Sequence, residues 1–361
     1  MERIYVTKSF LPPLEEYDVY LREIWKSGHL TNQGPLLKQF ENQAQDYLRV
    51  DNFHFISNGT TALQIALKAL DITEGEVITT PFSFVATMNS IMWERCDPIF
   101  VDIEPETFCI NADKIEAAIT KNTKAIMAVH VFGYPCDVEK IEEIANKHGL
   151  KVIYDGAHAF GVEYKGKSLL SYGDITTCSF HSTKLFHTIE GGAVVAKDKV
   201  VSDKIELLKK FGFEGDEYIL PGINAKASEF QAAMGLCNMR YIDDIIESRR
   251  KIHEAYNELL SNDLLTPVIK KNVTHNYTYY PVLFKTEAAL LHILSRLQEE
   301  NIFPRRYFNP SLNTVPYVGH YQRCLVSEDI TKRILCLPLY PDLKINDVER
   351  ICRIINNNYA D

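Results

Sequence analysis

Residues 151–160 read Lys-Val-Ile-Tyr-Asp-Gly-Ala-His-Ala-Phe, and residues 173–192 read Gly-Asp-Ile-Thr-Thr-Cys-Ser-Phe-His-Ser-Thr-Lys-Leu-Phe-His-Thr-Ile-Glu-Gly-Gly. In the first stretch a short apolar run, Lys151 to Tyr154, delivers Asp155 to a strand end, and small residues follow at once. In the second, an alternating run from Ile175 to Phe180 delivers Ser179, and Lys184 lies a few residues on, in a loop that closes on Gly191-Gly192. Short apolar runs bounded by glycine and small polar residues read as strands.

Working outward, the chain alternates strand and helix. Leu14 to Trp25 and Leu36 to Leu48 are helical in pattern, joined by the turn-rich Gly28–Pro35. The runs Phe53–Ile56, Val77–Thr80, Pro98–Ile103 and Ala125–Val131 read as strands, and Ala62–Leu70, Phe84–Trp93, Ala112–Ile119 and Val138–His148 as helices. Such alternation predicts a mostly parallel sheet with helices on both faces, an α/β fold that binds ligands at the carboxyl ends of its strands. Gly59, Phe84, Asp155 and Ser179 all fall at or just after such ends. Beyond Gly192 the pattern continues with a strand (Ala193–Ala196), a helix (Asp198–Phe211), one long helix (Glu229–Leu260), a strand (Tyr279–Phe284) and a helix (Ala288–Glu300). This divides the chain into a large domain, 1–240, and a smaller C-terminal α/β domain, 241–361. A dinucleotide-binding domain shares the alternation, but it needs a G-x-G-x-x-G turn after an early strand, and none is present.

With 361 residues, 46% of them hydrophobic, the chain can build a substantial core. Its net charge of -9 and lack of a basic cluster argue against a nucleic-acid surface. No apolar run approaches membrane-spanning length, and Met1-Glu2-Arg3-Ile4 shows no signal core. Eight scattered cysteines without a CxxC pair fit reduced thiols rather than a disulfide frame or a zinc site. Together these features predict a cytoplasmic protein with no bound metal.

One acid and one lysine, each beside a strand end, suit a pyridoxal phosphate site. Asp155 keeps the pyridine nitrogen protonated, and the Lys184 amine forms the Schiff base. Ser57-Asn58-Gly59-Thr60-Thr61 opens a helix directly after a strand, where free N–H groups and the positive helix end converge. Gly59 and Thr60 therefore read as phosphate ligands, the alternative being a plain helix cap.

Three ordered motifs carry a resemblance: Asp155-Gly156-Ala157-His158-Ala159, then Ser179-Phe180-His181-Ser182-Thr183-Lys184, then Glu190-Gly191-Gly192. They resemble the DegT/DnrJ/EryC1/StrS nucleotide-sugar aminotransferases, and the likeness extends from Thr31-Asn32-Gln33-Gly34-Pro35 to Leu337-Pro338-Leu339-Tyr340-Pro341. The resemblance implies the fold-type I, aspartate-aminotransferase-like architecture and ping-pong transfer of an amino group from L-glutamate to a nucleotide-linked keto sugar. It also implies that Phe84 stacks on the cofactor ring, that His158 touches its phenolic oxygen, and that Ser179 and Thr60 hold its phosphate. Asn224 would reach the phosphate of the neighbouring subunit, which implies a homodimer. Lys226 stands where many relatives carry Arg. Arg305, Arg306 and His320 fall where relatives approach the sugar nucleotide, with plain surface loop as the other reading. Sugar dehydrases of the group carry His at the position of Lys184, so the lysine favours transamination.

The segments Leu185–Gly192 and Asn224–Glu229 look more like the enzymes that aminate C4, in particular those making dTDP-4-amino-4,6-dideoxyglucose for lipopolysaccharide O-antigen and other surface polysaccharides. The alternatives are a C3-aminating transaminase, a dehydrase, and a non-catalytic sugar-nucleotide binder.

Overall fold

The computed structural model describes residues 3–319 and 321–359. Seven strands form the central sheet: β1 (Phe53–Ile56), β2 (Glu76–Thr79), β3 (Asp97–Phe100), β4 (Thr123–Val129), β5 (Lys151–Asp155), β6 (Ile175–Ser179) and β7 (Gly192–Ala196). Their spatial order is β1-β7-β6-β5-β4-β2-β3. Strands β2 to β6 pair in parallel, and β7 alone runs against its neighbours β1 and β6. The fold is thus α/β with a mostly parallel sheet.

Both faces of the sheet are covered, which explains why its strands read as nearly continuous apolar runs. Along β5, Val152 and Tyr154 enter one buried cluster and Ile153 the other. Along β7, Ala193 and Val195 pack on the first face and Val194 and Ala196 on the second. This period of two leaves the strand ends to carry the polar residues.

The helices are α1 (Leu14–Ser27), α2 (Pro35–Leu48), α3 (Gly59–Ala69), α4 (Val85–Trp93), α5 (Val138–His148), α6 (Lys199–Leu208), α7 (Glu229–Met239), α8 (Ile242–Leu259), α9 (Glu287–Glu299), α10 (Leu325–Arg333) and α11 (Ile345–Tyr359). Pro35 opens α2, where its missing N–H costs nothing. The next two N–H groups, of Leu36 and Leu37, donate at 2.9 Å each to the buried carboxylate of Glu229 from α7. One acid therefore caps a helix almost two hundred residues away.

Two expectations need correction. Ala112–Ile119 is not an α-helix but two short 3₁₀ turns, Ala112–Lys114 and Glu116–Ala118. Ile119 is already extended (φ -73°, ψ 129°), so the second turn ends there instead of propagating. The long Glu229–Leu260 helix breaks between α7 and α8, with Tyr241 at φ -113°, ψ 0°. Arg240 (2.7 Å) and Tyr241 both bind the Glu16 carboxylate of α1, which fixes the break.

A third buried cluster gathers α8, α9 and α11 around the antiparallel pair β8 (Tyr280–Leu283) and β9 (Ile334–Leu337). The chain start joins it: Ile4–Tyr5 pairs with Ile302–Phe303, and Ile4 is part of this core. All eight cysteines are free and buried. Among the described residues no helix is long and apolar enough to cross a membrane, and no group of side chains is arranged to hold a metal ion.

Candidate active site

The carboxyl ends of β1, β5 and β6 and the start of β7 meet at one cavity of about 560 Å³. Its lining includes Gly59, Thr60, Phe84, Asp155, His158, Ser179 and Lys184. Seven of the eight site residues read from the sequence thus face one space.

Asp155 ends β5 and is only 6% exposed. One carboxylate oxygen accepts from the Ala157 N–H (3.0 Å), the other from Thr87 Oγ1 (2.7 Å). Thr87 lies in turn 2.7 Å from Ser83 Oγ. A carboxylate only accepts, so Thr87 spends its single proton on Asp155 and Ser83 donates to Thr87. Ser83 and Thr87 were missed by sequence reasoning; nothing in Pro81–Thr87 shows that the first turn of α4 aims a hydroxyl at β5, the third strand to follow it in the chain.

At the start of α3, the Asn58 side chain takes the Thr61 N–H (2.8 Å) and the Asn58 carbonyl takes that of Ala62 (3.1 Å). Gly59 and Thr60 supply the remaining first-turn N–H groups beside the cavity. A Cβ on Gly59 would stand 3.0 Å from that of Ser179 and 3.1 Å from its hydroxyl. Gly192, the first residue of β7, lets this turn approach, since a Cβ there would lie 2.7 Å from the Asn58 carbonyl carbon. Two N–H groups, a hydroxyl and a helix dipole therefore make an anion cradle.

Phe84 caps α4 and is 56% exposed while lining the cavity, so a ring face is open to a flat partner. His158 is buried, nearly parallel to Phe132 (6.1 Å) and Phe308 (6.0 Å), with Tyr279 edge-on at 4.9 Å. Its Nδ1 accepts the Phe132 N–H (3.1 Å), which places the proton on Nε2. Burial, helped by the charge of Lys184, holds the imidazole well below the ordinary histidine range, so it is a neutral donor. Burial also lowers the Lys184 amine, against an opposing pull from Asp155. A lysine shifted that way is a better nucleophile and base at neutral pH.

Asn224 does not line this cavity. It is exposed, and its side chain accepts from Lys226 Nζ at 2.8 Å. Lys226 also sits over the Phe211 ring (4.9 Å). Arg305 lines the cavity, over Tyr307, whereas Arg306 turns away to Glu287 (2.8 Å). His320 lies outside the described residues. His181, Glu190, Tyr279 and Tyr307 also line it, the last two brought in by loops remote in sequence.

Residues 14–356 match the DegT/DnrJ/EryC1/StrS aminotransferase family. The chain is 40% identical over 362 residues to a dTDP-4-amino-4,6-dideoxy-D-glucose transaminase of Shigella dysenteriae, covering 98% of each. It is 38% identical over 364 residues to the protein of the same name from Escherichia coli, covering 97% of each. The crystal structure of DesI in the presence of its TDP-sugar product superposes with a TM-score of 0.93 at 30% identity, covering 99% of this chain and 93% of that one. The chain is a member of the DegT/DnrJ/EryC1/StrS aminotransferase family, a sugar aminotransferase by its relatives and its fold.

Proposed function

We propose that the protein uses pyridoxal phosphate to move the amino group of L-glutamate to C4 of dTDP-4-keto-6-deoxyglucose, giving dTDP-4-amino-4,6-dideoxyglucose. The observation that carries the cofactor assignment is the donor set in one cavity: an amine of lowered basicity, a buried carboxylate, a neutral N–H donor, an open aromatic face and an anion cradle. These match, in turn, an aldehyde, a ring nitrogen, a phenolic oxygen, a flat ring and a phosphate. The near full-length likeness to two transaminases named for the C4 amino sugar supports the acceptor.

Pyridoxal phosphate, when bound, supplies an electron sink for the carbon that bears the amino group. The chain's own work is positioning and proton transfer. Lys184 is the tether and, once released, the base that takes the donor's α-proton and later returns one to the acceptor carbon. Asp155, held by Thr87 and Ala157, keeps the ring nitrogen protonated. His158 donates from Nε2 toward the phenolic oxygen. Gly59, Thr60 and Ser179 fix the phosphate, and Phe84 covers one ring face. Arg305 is placed to meet an anionic group of the reactants.

We also infer a homodimer in which Asn224, exposed and outside its own chain's cavity, serves the partner's phosphate. The domain division at 240/241, a cytoplasmic location and a role in O-antigen or other surface polysaccharide assembly belong to the same proposal. Lys184→Ala tests the core of it. The variant is expected to retain the fold by circular dichroism and to release no 2-oxoglutarate from glutamate in a single-turnover assay. Release at more than a few per cent of the wild-type rate contradicts the assignment.

A further inference from the structure

We propose that Glu190 is a specificity residue whose carboxylate accepts a hydrogen bond from the C3 hydroxyl of the sugar nucleotide, beside the carbonyl to be aminated. The inference rests on the function proposed above.

The loop between Lys184 and β7 is built to present this side chain. Ile189, a β-branched residue, sits in the left-handed region at φ 70°. Such a conformation costs of the order of 1–3 kcal/mol and persists only where neighbours enforce it. The neighbours are identifiable. The Glu190 carbonyl accepts from Thr188 Oγ1 (2.8 Å) and from Gln231 Nε2 (2.7 Å). Gly191 follows where a Cβ would lie 2.0 Å from Thr188 Oγ1. Gln231 is itself fixed as the third residue of the α7 capping box with Ser228. The Glu190 backbone is therefore clamped, and its side chain lines the cavity together with Lys184.

One ring nitrogen approaches the carboxylate, His181 Nε2 at 3.3 Å. His181 Nδ1 accepts the Thr183 N–H (3.2 Å), so Nε2 carries the proton that faces Glu190. A carboxylate offers about four acceptor sites, so this pairing leaves capacity for another donor.

The chemistry of the reactants selects that donor. The cofactor phosphate, both carboxylates of glutamate and the diphosphate of the nucleotide only accept hydrogen bonds at neutral pH, and a carboxylate repels them. The ammonium group of glutamate donates, but it is the group transferred at Lys184, which leaves the sugar hydroxyls as donors. With C4 held at Lys184, one neighbouring carbon, C5, carries only a methyl group, a hydrogen and the ring oxygen. The other, C3, carries a hydroxyl. That hydroxyl is the donor closest to the reacting carbon and is matched by an acceptor on the loop that carries the lysine.

A site that hydrogen-bonds a substrate hydroxyl rejects an analogue without it, because its polar group is left unpaired. For a half-exposed charged acceptor the discrimination is roughly ten- to a hundredfold. The test uses the pyridoxal-phosphate-loaded protein, its Glu190→Gln and Glu190→Ala variants, and three ligands: dTDP, dTDP-4-amino-4,6-dideoxyglucose and the 3-deoxy form of that sugar. Calorimetric affinities are measured with the glutamate half-reaction as a control. The expected result is that the wild type prefers the 3-hydroxy sugar by at least about tenfold, that both variants bind the two sugars within about threefold of each other, and that neither dTDP affinity nor the glutamate half-reaction falls. Variants that keep the wild-type preference, or that lose affinity for both sugars and for dTDP alike, overturn the hydroxyl role. The same preparation is also given dTDP-4-keto-6-deoxyglucose and glutamate; a wild type that fails to aminate it overturns instead the function on which the proposal rests.

Discussion

The Ser83–Thr87–Asp155 relay is the contact in the site whose energetics can be worked out most fully. Thr87 donates at 2.7 Å to a carboxylate only 6% exposed, and both Thr87 and Ser83 are buried. Replacing Thr87 by Val keeps the shape and removes a hydrogen bond to a charged group, a loss of about 1.5–3 kcal/mol. It also strands the Ser83 hydroxyl, because the proton order makes Ser83 the donor to Thr87. Ser83→Ala alone removes only a neutral bond, a loss of about 0.5–1.5 kcal/mol. Added to Thr87→Val, it removes a hydroxyl that already lacks a partner, so its further cost falls to about zero. The two substitutions are therefore coupled by at least about 0.5 kcal/mol. Urea denaturation of the wild type, both single variants and the double variant, all without cofactor, measures the cycle. Additive costs, or a Thr87→Val variant within about 0.5 kcal/mol of wild type, would refute the relay.

Gly59→Ala places a methyl 3.0 Å from the Ser179 side chain, so the cradle must open by a few tenths of an ångström; the variant is expected to fold normally and to bind pyridoxal phosphate at least about tenfold more weakly in a fluorescence titration. Burial holds His130 neutral, with its value lowered to about 3. The unfolded chain takes up that proton below about pH 6.5, so stability is full above that value and falls by about 1.4 kcal/mol per pH unit on acidification. His130→Asn, whose amide oxygen can still accept the Cys136 N–H that His130 Nδ1 takes at 3.2 Å, is expected to flatten the acid limb of denaturation midpoint against pH by about one proton. An unchanged slope would show that His130 is protonated in the native state.

Which parts of this molecule are legible in its sequence follows from where the decisive contacts lie. Val138–His148 is read end to end because its boundaries are local: Asp137 caps the Lys140 N–H (3.1 Å), and Gly149 takes the left-handed conformation (φ 64°). The sheet is legible because both its faces are buried. Asp155, Ser179 and Lys184 stand out because strand ends and glycine-bounded loops mark them. The break at Arg240–Tyr241 is invisible, since its cause is Glu16, more than two hundred residues upstream. The Ser83–Thr87 relay and the clamp on Glu190 are hidden for the same reason: in each, an ordinary residue acquires its role from a partner on another element. Helix α3 was expected to start at Ala62 but starts at Gly59, which puts Gly59 and Thr60 inside its first turn and sharpens their fit to an anion.

Transfer to the sugar can be read from its product. Purified protein is incubated with pyridoxal phosphate, L-glutamate and dTDP-4-keto-6-deoxyglucose, and the product's amine position is read from its proton couplings. Stoichiometric 2-oxoglutarate and an equatorial amine at C4 are the expected products. An amine at C3, or no sugar product from a protein that still converts glutamate to 2-oxoglutarate, would contradict the proposed acceptor.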